Sequence, residues 1–356
     1  TMVWHNNDAM NKGKFLLVKK LPVKTILAKA LPSALALVTI ATTISFSISS
    51  APPAQAFWPF TKKHADGSKR KKRKLQGTQV GLVPGNPPAL YWAAKKPKAV
   101  VLCLHELGLY SGVFDDLGSR MAAKNISVYA IDLRGFGGWR EIDKKDSKMD
   151  LAKTLSDVKG SCEEIRKLHQ GVPVFILGEA MGGALALQAA SKYPTLINGI
   201  ISAAPGGDHF KSVNNFVNVG VGMAVGSKHA FGLGEKLMDV ATPKQELKEA
   251  LSEDEMVRMD VTSGEMVACQ FFMYKTKAMA KAIKEMPVLI VHGDKDGESK
   301  LIGSESVFKN LATKDKKFVR LPEGDHYTFE DTKVSDEAFS TALAFIDEHA
   351  PKEASE

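Results

Sequence analysis

Val174-Phe-Ile-Leu-Gly-Glu-Ala-Met-Gly-Gly183 runs directly into Ala184-Leu-Ala-Leu-Gln-Ala-Ala190, and the reading of this join decides the fold. The short apolar run reads as a buried strand, and the alanine- and leucine-rich segment is a strong helix former. Between them Gly178 and Gly182 frame a sharp turn with the spacing of the G-x-S-x-G nucleophile elbow. Glycine suits both places, because a side chain there would collide with the neighbouring strand and helix. Where the pattern has serine, the chain has Ala180.

Working outward from the join, short apolar strands alternate with helices. Ala89 to Ala93, Ala99 to His105, Ile126 to Ile131, Gly199 to Ala203, Pro287 to His292 and Phe318 to Leu321 read as strands. Phe114 to Ala123, Leu151 to Leu168, Ser304 to Leu311 and Glu337 to His349 have helical spacing. Such alternation predicts an α/β fold with a doubly wound, mostly parallel sheet. The rhythm breaks between His209 and Glu285, a stretch rich in Met, Phe and Gly that reads as helices inserted over the sheet.

The charge is uneven. Residues 1–77 hold 14 Lys and Arg against two Asp, a net of +12, and the remaining chain holds 34 against 38, a net of −4. The basic balance therefore belongs to the leader, and the mildly acidic body does not read as a nucleic-acid binder. Residues 1–56 are ordered like a secretory signal. Six lysines from Lys12 to Lys29 precede an apolar stretch from Leu31 to Ile48, and Ala54-Gln-Ala56 supplies small residues before Phe57. Export to a periplasmic or extracellular space is the expectation, with a membrane tether if the leader is kept. Residues 57–77 read as a basic, disordered tether whose Lys69-Arg-Lys-Lys-Arg-Lys74 run repels itself and stays solvated. Near an anionic membrane or cell-wall surface such a run would be attracted to it. The folded body is expected over 78–350, with the inserted cap at about 206–286 and a frayed tail at 351–356. Cys103, Cys162 and Cys269 make no disulfide framework, although a Cys162–Cys269 bridge stays open in an exported protein. No metal-ligand spacing and no cofactor motif are found.

Two downstream loops carry groups that hydrolytic chemistry needs. His292-Gly-Asp-Lys-Asp296 closes one buried strand, and Gly324-Asp-His326 follows the next. Asp296 and His326 thus fall beyond the carboxyl ends of adjacent strands, where open α/β sheets bind ligands. Nucleophile, acid, histidine is also the chain order of a triad in this fold class. Asp294 and Asp325 read as surface neighbours.

With these motifs in place, the body resembles an α/β-hydrolase of the monoacylglycerol lipase, lysophospholipase and serine aminopeptidase-like group, from about Thr78 to Ala350. The resemblance rests on His105-Glu-Leu-Gly108, Asp132-Leu-Arg-Gly-Phe-Gly137, Gly178-Glu-Ala-Met-Gly-Gly183, His292-Gly-Asp-Lys-Asp296 and Gly324-Asp-His326. It implies Asp296 as the acid, His326 as the base, and the backbone N–H groups of Leu107 and Met181 as an oxyanion hole. It implies structural, loop-tying roles for His105, Asp132 and Arg134. A small ester or acyl ligand would bind under the cap, with Phe210, Phe216, Met223, Phe231, Met238, Phe271, Phe272 and Met273 as apolar lining. No cofactor is implied.

Two positions depart from the group's pattern. Ala180 lacks a nucleophilic atom, and Glu106 stands where the oxyanion loop has glycine, adding bulk and charge. Loss of the serine in a triad costs on the order of a millionfold in turnover. Three accounts of Ala180 stay open: an exchange made to trap substrate, natural loss of the nucleophile, or an Asp296–His326 pair working as a general base on substrate or water. The expectation is little or no serine-hydrolase activity. A binding protein for an acyl or small hydrophobic ligand is the contrasting reading.

Overall fold

The computed structural model describes residues 70–82, 87–142, 148–206 and 238–351. The expected signal segment, residues 57–69 of the tether, and Phe210, Phe216, Met223 and Phe231 of the cap lie outside the described residues. Among the described residues, no helix is long and apolar enough to cross a membrane.

Among the described residues, eight strands form one sheet in the order β1-β2-β4-β3-β5-β6-β7-β8. β1 (Thr78–Gly81) and β2 (Pro88–Trp92) are antiparallel additions at one edge. β3 (Ala99–Leu104), β4 (Ile126–Ile131), β5 (Val174–Glu179), β6 (Gly199–Ala203), β7 (Val288–Gly293) and β8 (Lys316–Leu321) run parallel. β3 to β7 are buried along their whole length, which is why their sequences are largely apolar, with Ser127, Glu179, Ser202 and His292 as buried polar exceptions. Alternate side chains feed two cores. Val100, Leu102 and Leu104 pack on one face with α2 (Leu151–Leu168) and α3 (Met181–Lys192). Val101 and Cys103 pack on the other with α1 (Asp115–Ala122) and α7 (Asp336–His349).

Register sets the position of the site. Leu104 pairs with Gly178, and Gly178 with Ser202, so the loops leaving β3, β5 and β6 emerge side by side. β7 and β8 continue the row, with Gly293 opposite Leu321.

The described part of the inserted region contributes α4 (Gln245–Glu253) and α5 (Ser263–Met279), and α6 (Leu301–Asn310) follows β7. α5 starts in a capping box between Thr262 and Glu265, and Glu265 also takes two hydrogen bonds from Arg258. The helix is bonded to α3 by Gln188, whose side-chain amide donates to Phe272 O and Thr276 Oγ1, each at 2.9 Å. Met273 therefore belongs to the core of the sheet, and Phe271, on the opposite side of α5, is 65% exposed.

Two sequence expectations change. The six-cation run does not stay wholly solvated. The Arg70 guanidinium donates to the carbonyls of Asp254 and Val257, Lys71 bridges to Asp254, and Lys72 pairs with Glu141. The carbonyls of the Asp254 turn and the Glu141 carboxylate draw these cations onto the body. The Cys162–Cys269 bridge is absent: all three cysteines are free and buried.

Candidate active site

The elbow is built from clashes that only glycine avoids. A Cβ on Gly178 would lie 2.3 Å from Gly182 O, and one on Gly182 would lie 1.9 Å from Leu104 O. Ala180 between them has φ 46° and ψ −109°, a backbone that L-residues adopt at a cost. It is held there because Ala180 N donates to Ala203 O and Ala184 N to Ala180 O, both at 2.9 Å. Met181 opens α3, so its N–H is one of the donors a helix start leaves without an intrahelical acceptor. Leu107 lies in the loop after β3, half-buried against the core.

The two downstream loops meet as the strand order requires. His326 Nδ1 donates to Asp296 Oδ2 at 2.8 Å, with both residues buried. Asp296 Oδ1 accepts the backbone N–H groups of Glu298 and Ser299 at 2.8 and 2.7 Å, which fixes the carboxylate. His292 sits beside this pair, with Nδ1 3.0 Å from Ser304 Oγ.

On its other side, His326 Nε2 faces Glu106 Oε1 at 3.2 Å. A triad histidine presents this nitrogen to the serine hydroxyl. Here it meets a carboxylate. Glu106 is held in place through its own N–H, which donates to Glu330 Oε1 at 2.8 Å. Glu179, next to Ala180, accepts the N–H groups of Thr328, Phe329 and Glu330 at 2.5, 2.9 and 3.1 Å. That clamp fastens the elbow to the histidine loop.

The site is therefore a buried cluster of acids around one imidazole, and the charges answer each other. Burial disfavours the imidazolium of His326, but Asp296, Glu106 and Glu298 outweigh it and hold its pKa well above the usual range. Burial alone would raise Asp296; His326 overrides that and lowers it to about 2. Burial, then the Glu106 charge, raises Glu298 to about 8. Burial raises Glu179 to about 7 against its backbone N–H bonds, and raises Glu330 well above the carboxyl range with help from Glu179.

A pH dependence follows. Glu179 and Glu298 keep protons in the folded chain up to about pH 7 and 8, whereas the unfolded chain has released them above roughly pH 4.3. His326 likewise keeps its proton above the ordinary range. His105, lowered to about 4 by burial, is neutral in both states above pH 6.5 and adds nothing there. Stability should therefore fall as pH rises from about 6.5 to about 8. Urea midpoints measured across that range in the presence of a chelator check it, and a flat or rising profile contradicts it.

The loop-tying residues behave as the resemblance implied. His105 Nδ1 donates to Glu106 O at 2.7 Å, and Leu133 N donates to His105 Nε2 at 2.9 Å. Asp132 accepts from the N–H groups of Ser111 and Gly138, and Arg134 forks onto Asp157 while stacking on Trp139. Asp294 is at the surface, paired to Arg320, but Asp325 is not. It is buried and accepts from Thr242 Oγ1 at 2.5 Å, because Thr242 and Lys244 close over it. Glu179, Glu298 and Glu330 were missed as site residues. Their only signal was position: beside the elbow alanine, two after Asp296, and four after His326.

A parallel sheet with an elbow after β5 and an Asp–His pair in the loops after β7 and β8 defines an α/β-hydrolase. Residues 95–333 match the family described as serine aminopeptidase, S33, and the chain belongs to that family. It is 25% identical to the monoacylglycerol lipase of Mycolicibacterium smegmatis over 221 residues, 62% of this chain and 78% of that one. It is 34% identical to the monoglyceride lipase homolog of monkeypox virus over 116 residues, 32% of this chain and 41% of the viral protein. Among solved structures, a soluble variant of the Saccharomyces cerevisiae monoglyceride lipase in complex with a substrate analog matches with a TM-score of 0.66. That match has 20% identity and covers 81% of this chain and 99% of that one; it speaks for the fold.

Proposed function

We propose that this chain is a non-hydrolysing relative of the acylglycerol and lysophospholipid ester hydrolases, holding a small ester or acyl ligand at the carboxyl end of its sheet. One observation carries the reading: the nitrogen that should face a serine hydroxyl faces Glu106 Oε1 at 3.2 Å, while the elbow presents Ala180. Both the nucleophile and its place on the base are gone. The charge around His326 works the same way. Asp296, Glu106 and Glu298 favour the charged ring, which works against a general-base role for the Asp296–His326 pair too.

The ester-ligand part is supported by the relatives' names as monoacylglycerol lipases and by the backbone donors of Leu107 and Met181, which survive side-chain exchange. The leader supports an exported protein. The basic run supports contact with an anionic membrane or wall surface, through those of its cations that are not engaged with the body.

The test pairs two measurements on the chain as written. A fluorophosphonate probe should leave it unlabelled, and a non-hydrolysable monoacylglycerol analogue should bind it saturably. Labelling at background together with absent binding leaves only a silent fold; strong labelling overturns the non-hydrolysing reading outright.

A further inference from the structure

Glu298 and the second oxygen of Glu106 have no place in the ester-site reading, yet both are buried against His326. Glu106 comes from the loop after β3, Glu298 from the loop after β7, and His326 from the loop after β8. One donor atom from each lies within 4.8 Å of the other two. His326 Nε2 is 3.2 Å from Glu106 Oε1 and 3.9 Å from Glu298 Oε2.

These are the edges of a small coordination polyhedron. An ion held tetrahedrally at roughly 2.0–2.1 Å keeps its ligands about 3.4 Å apart, and the two separations bracket that length. Calcium, which takes roughly six to eight oxygens at about 2.3–2.6 Å, fits this set poorly, and an imidazole with two carboxylates suits a zinc-like ion better. The remaining ring nitrogen also fits. Asp296 holds His326 Nδ1 at 2.8 Å, the carboxylate–histidine pairing that orients an imidazole toward a metal.

An independent observation concerns charge. Glu106 Oε2 is buried with no hydrogen-bond partner among the described residues. No lysine or arginine among the described residues is paired with Glu106, Glu179 or Glu330. The charge that faces Glu106 is the His326 ring on Oε1, and a cation ligated by Glu106 would take over that pairing as the ring gives up its proton, and would give Oε2 a partner.

The geometry points to a site for one small divalent cation of the zinc class, ligated by Glu106, Glu298 and His326 Nε2. Three protein donors leave a fourth position for water. The site would be assembled where a hydrolase keeps its serine-facing imidazole, and it does not rest on the ester-ligand reading.

Zinc chloride titrated calorimetrically into chelator-treated, full-length protein tests it, with calcium chloride as the contrasting ion. The expected result is one equivalent of zinc, bound with proton release because His326 Nε2 must be free of its proton to ligate. Glu106→Gln and Glu298→Gln should each weaken binding at least about tenfold. Both exchanges replace a carboxyl ligand by an amide of nearly the same shape, and urea unfolding in chelator verifies that each variant folds. His349→Ala, on α7 and outside the cluster, should leave zinc affinity unchanged. No stoichiometric zinc overturns the inference, as does stoichiometric zinc that ignores both Gln variants, or calcium bound equally well at the same residues. These readouts use neither the fluorophosphonate probe nor the acyl analogue, so the two readings fail separately.

Discussion

Ala180→Ser alone should leave ester hydrolysis and fluorophosphonate labelling near background, whereas Ala180→Ser combined with Glu106→Gly should raise both by about a thousandfold or more. The single exchange restores a hydroxyl on a backbone already bent for it, since residue 180 has φ 46° and its neighbours have the glycines the turn needs. The base would still be engaged. Glu106 Oε1 lies 3.2 Å from His326 Nε2, and Glu106, Asp296 and Glu298 together favour the protonated ring. Removing Glu106 frees that nitrogen and lets the ring lose its proton more easily. A serine–histidine unit is worth on the order of 10⁶ in turnover when intact, and its members are strongly non-additive, so restoring one member should yield little and both much. Burst kinetics with short p-nitrophenyl esters measure the outcome. Full activity from Ala180→Ser alone would mean that Glu106 does not block the base.

Gly182→Ala should destabilise the fold by about 3 kcal/mol or more, a fall in midpoint on the order of 6–12 °C. The added methyl would sit 1.9 Å from Leu104 O, 2.5 Å from Leu104 C and 2.9 Å from His105 O. All three are backbone atoms, and Leu104 ends a strand paired with β4 on one side and β5 on the other, so none can swing aside. Gly81→Ala is the control. Nothing lies within 4 Å of a Cβ there, and the exchange should be close to neutral. Thermal and urea unfolding of the two variants give the comparison. A loss under about 1 kcal/mol at Gly182 would show that the elbow and β3 are less tightly joined than the distance says.

Much of this architecture was legible in the chain because central parallel strands advertise themselves. β3, β4 and β6 are largely apolar runs buried on both faces, and their predicted limits agree with the structure to within a residue. β1 was not predicted as a strand. It is four residues long, mostly exposed, and lies at the sheet edge, so it carries neither an apolar run nor alternation. The Asp296–His326 pair was legible through strand-end position. The ring of glutamates was not: Glu106 stood out only as a departure in the oxyanion loop, and Glu179, Glu298 and Glu330 are far apart in sequence and each reads as an ordinary solvated acid. Asp325 was misread for the same reason: its covering threonine and lysine come from a segment some eighty residues earlier.

The bent backbone at Ala180 has a consequence for ancestry and descent. The turn is enforced by Gly178, Gly182 and the Ala203 carbonyl, and nothing in it draws on a hydroxyl at residue 180. Loss of the serine would therefore have gone unpunished by folding, and selection acting on stability alone would not have erased the elbow afterwards. In the genetic code, alanine and serine are separated by a single base, as are glutamate and glycine. On the proposed reading, the alanine at 180 and the glutamate at 106 are thus neighbours of the hydrolytic sequence in mutational space, and the scaffold that would receive the reversions is still standing.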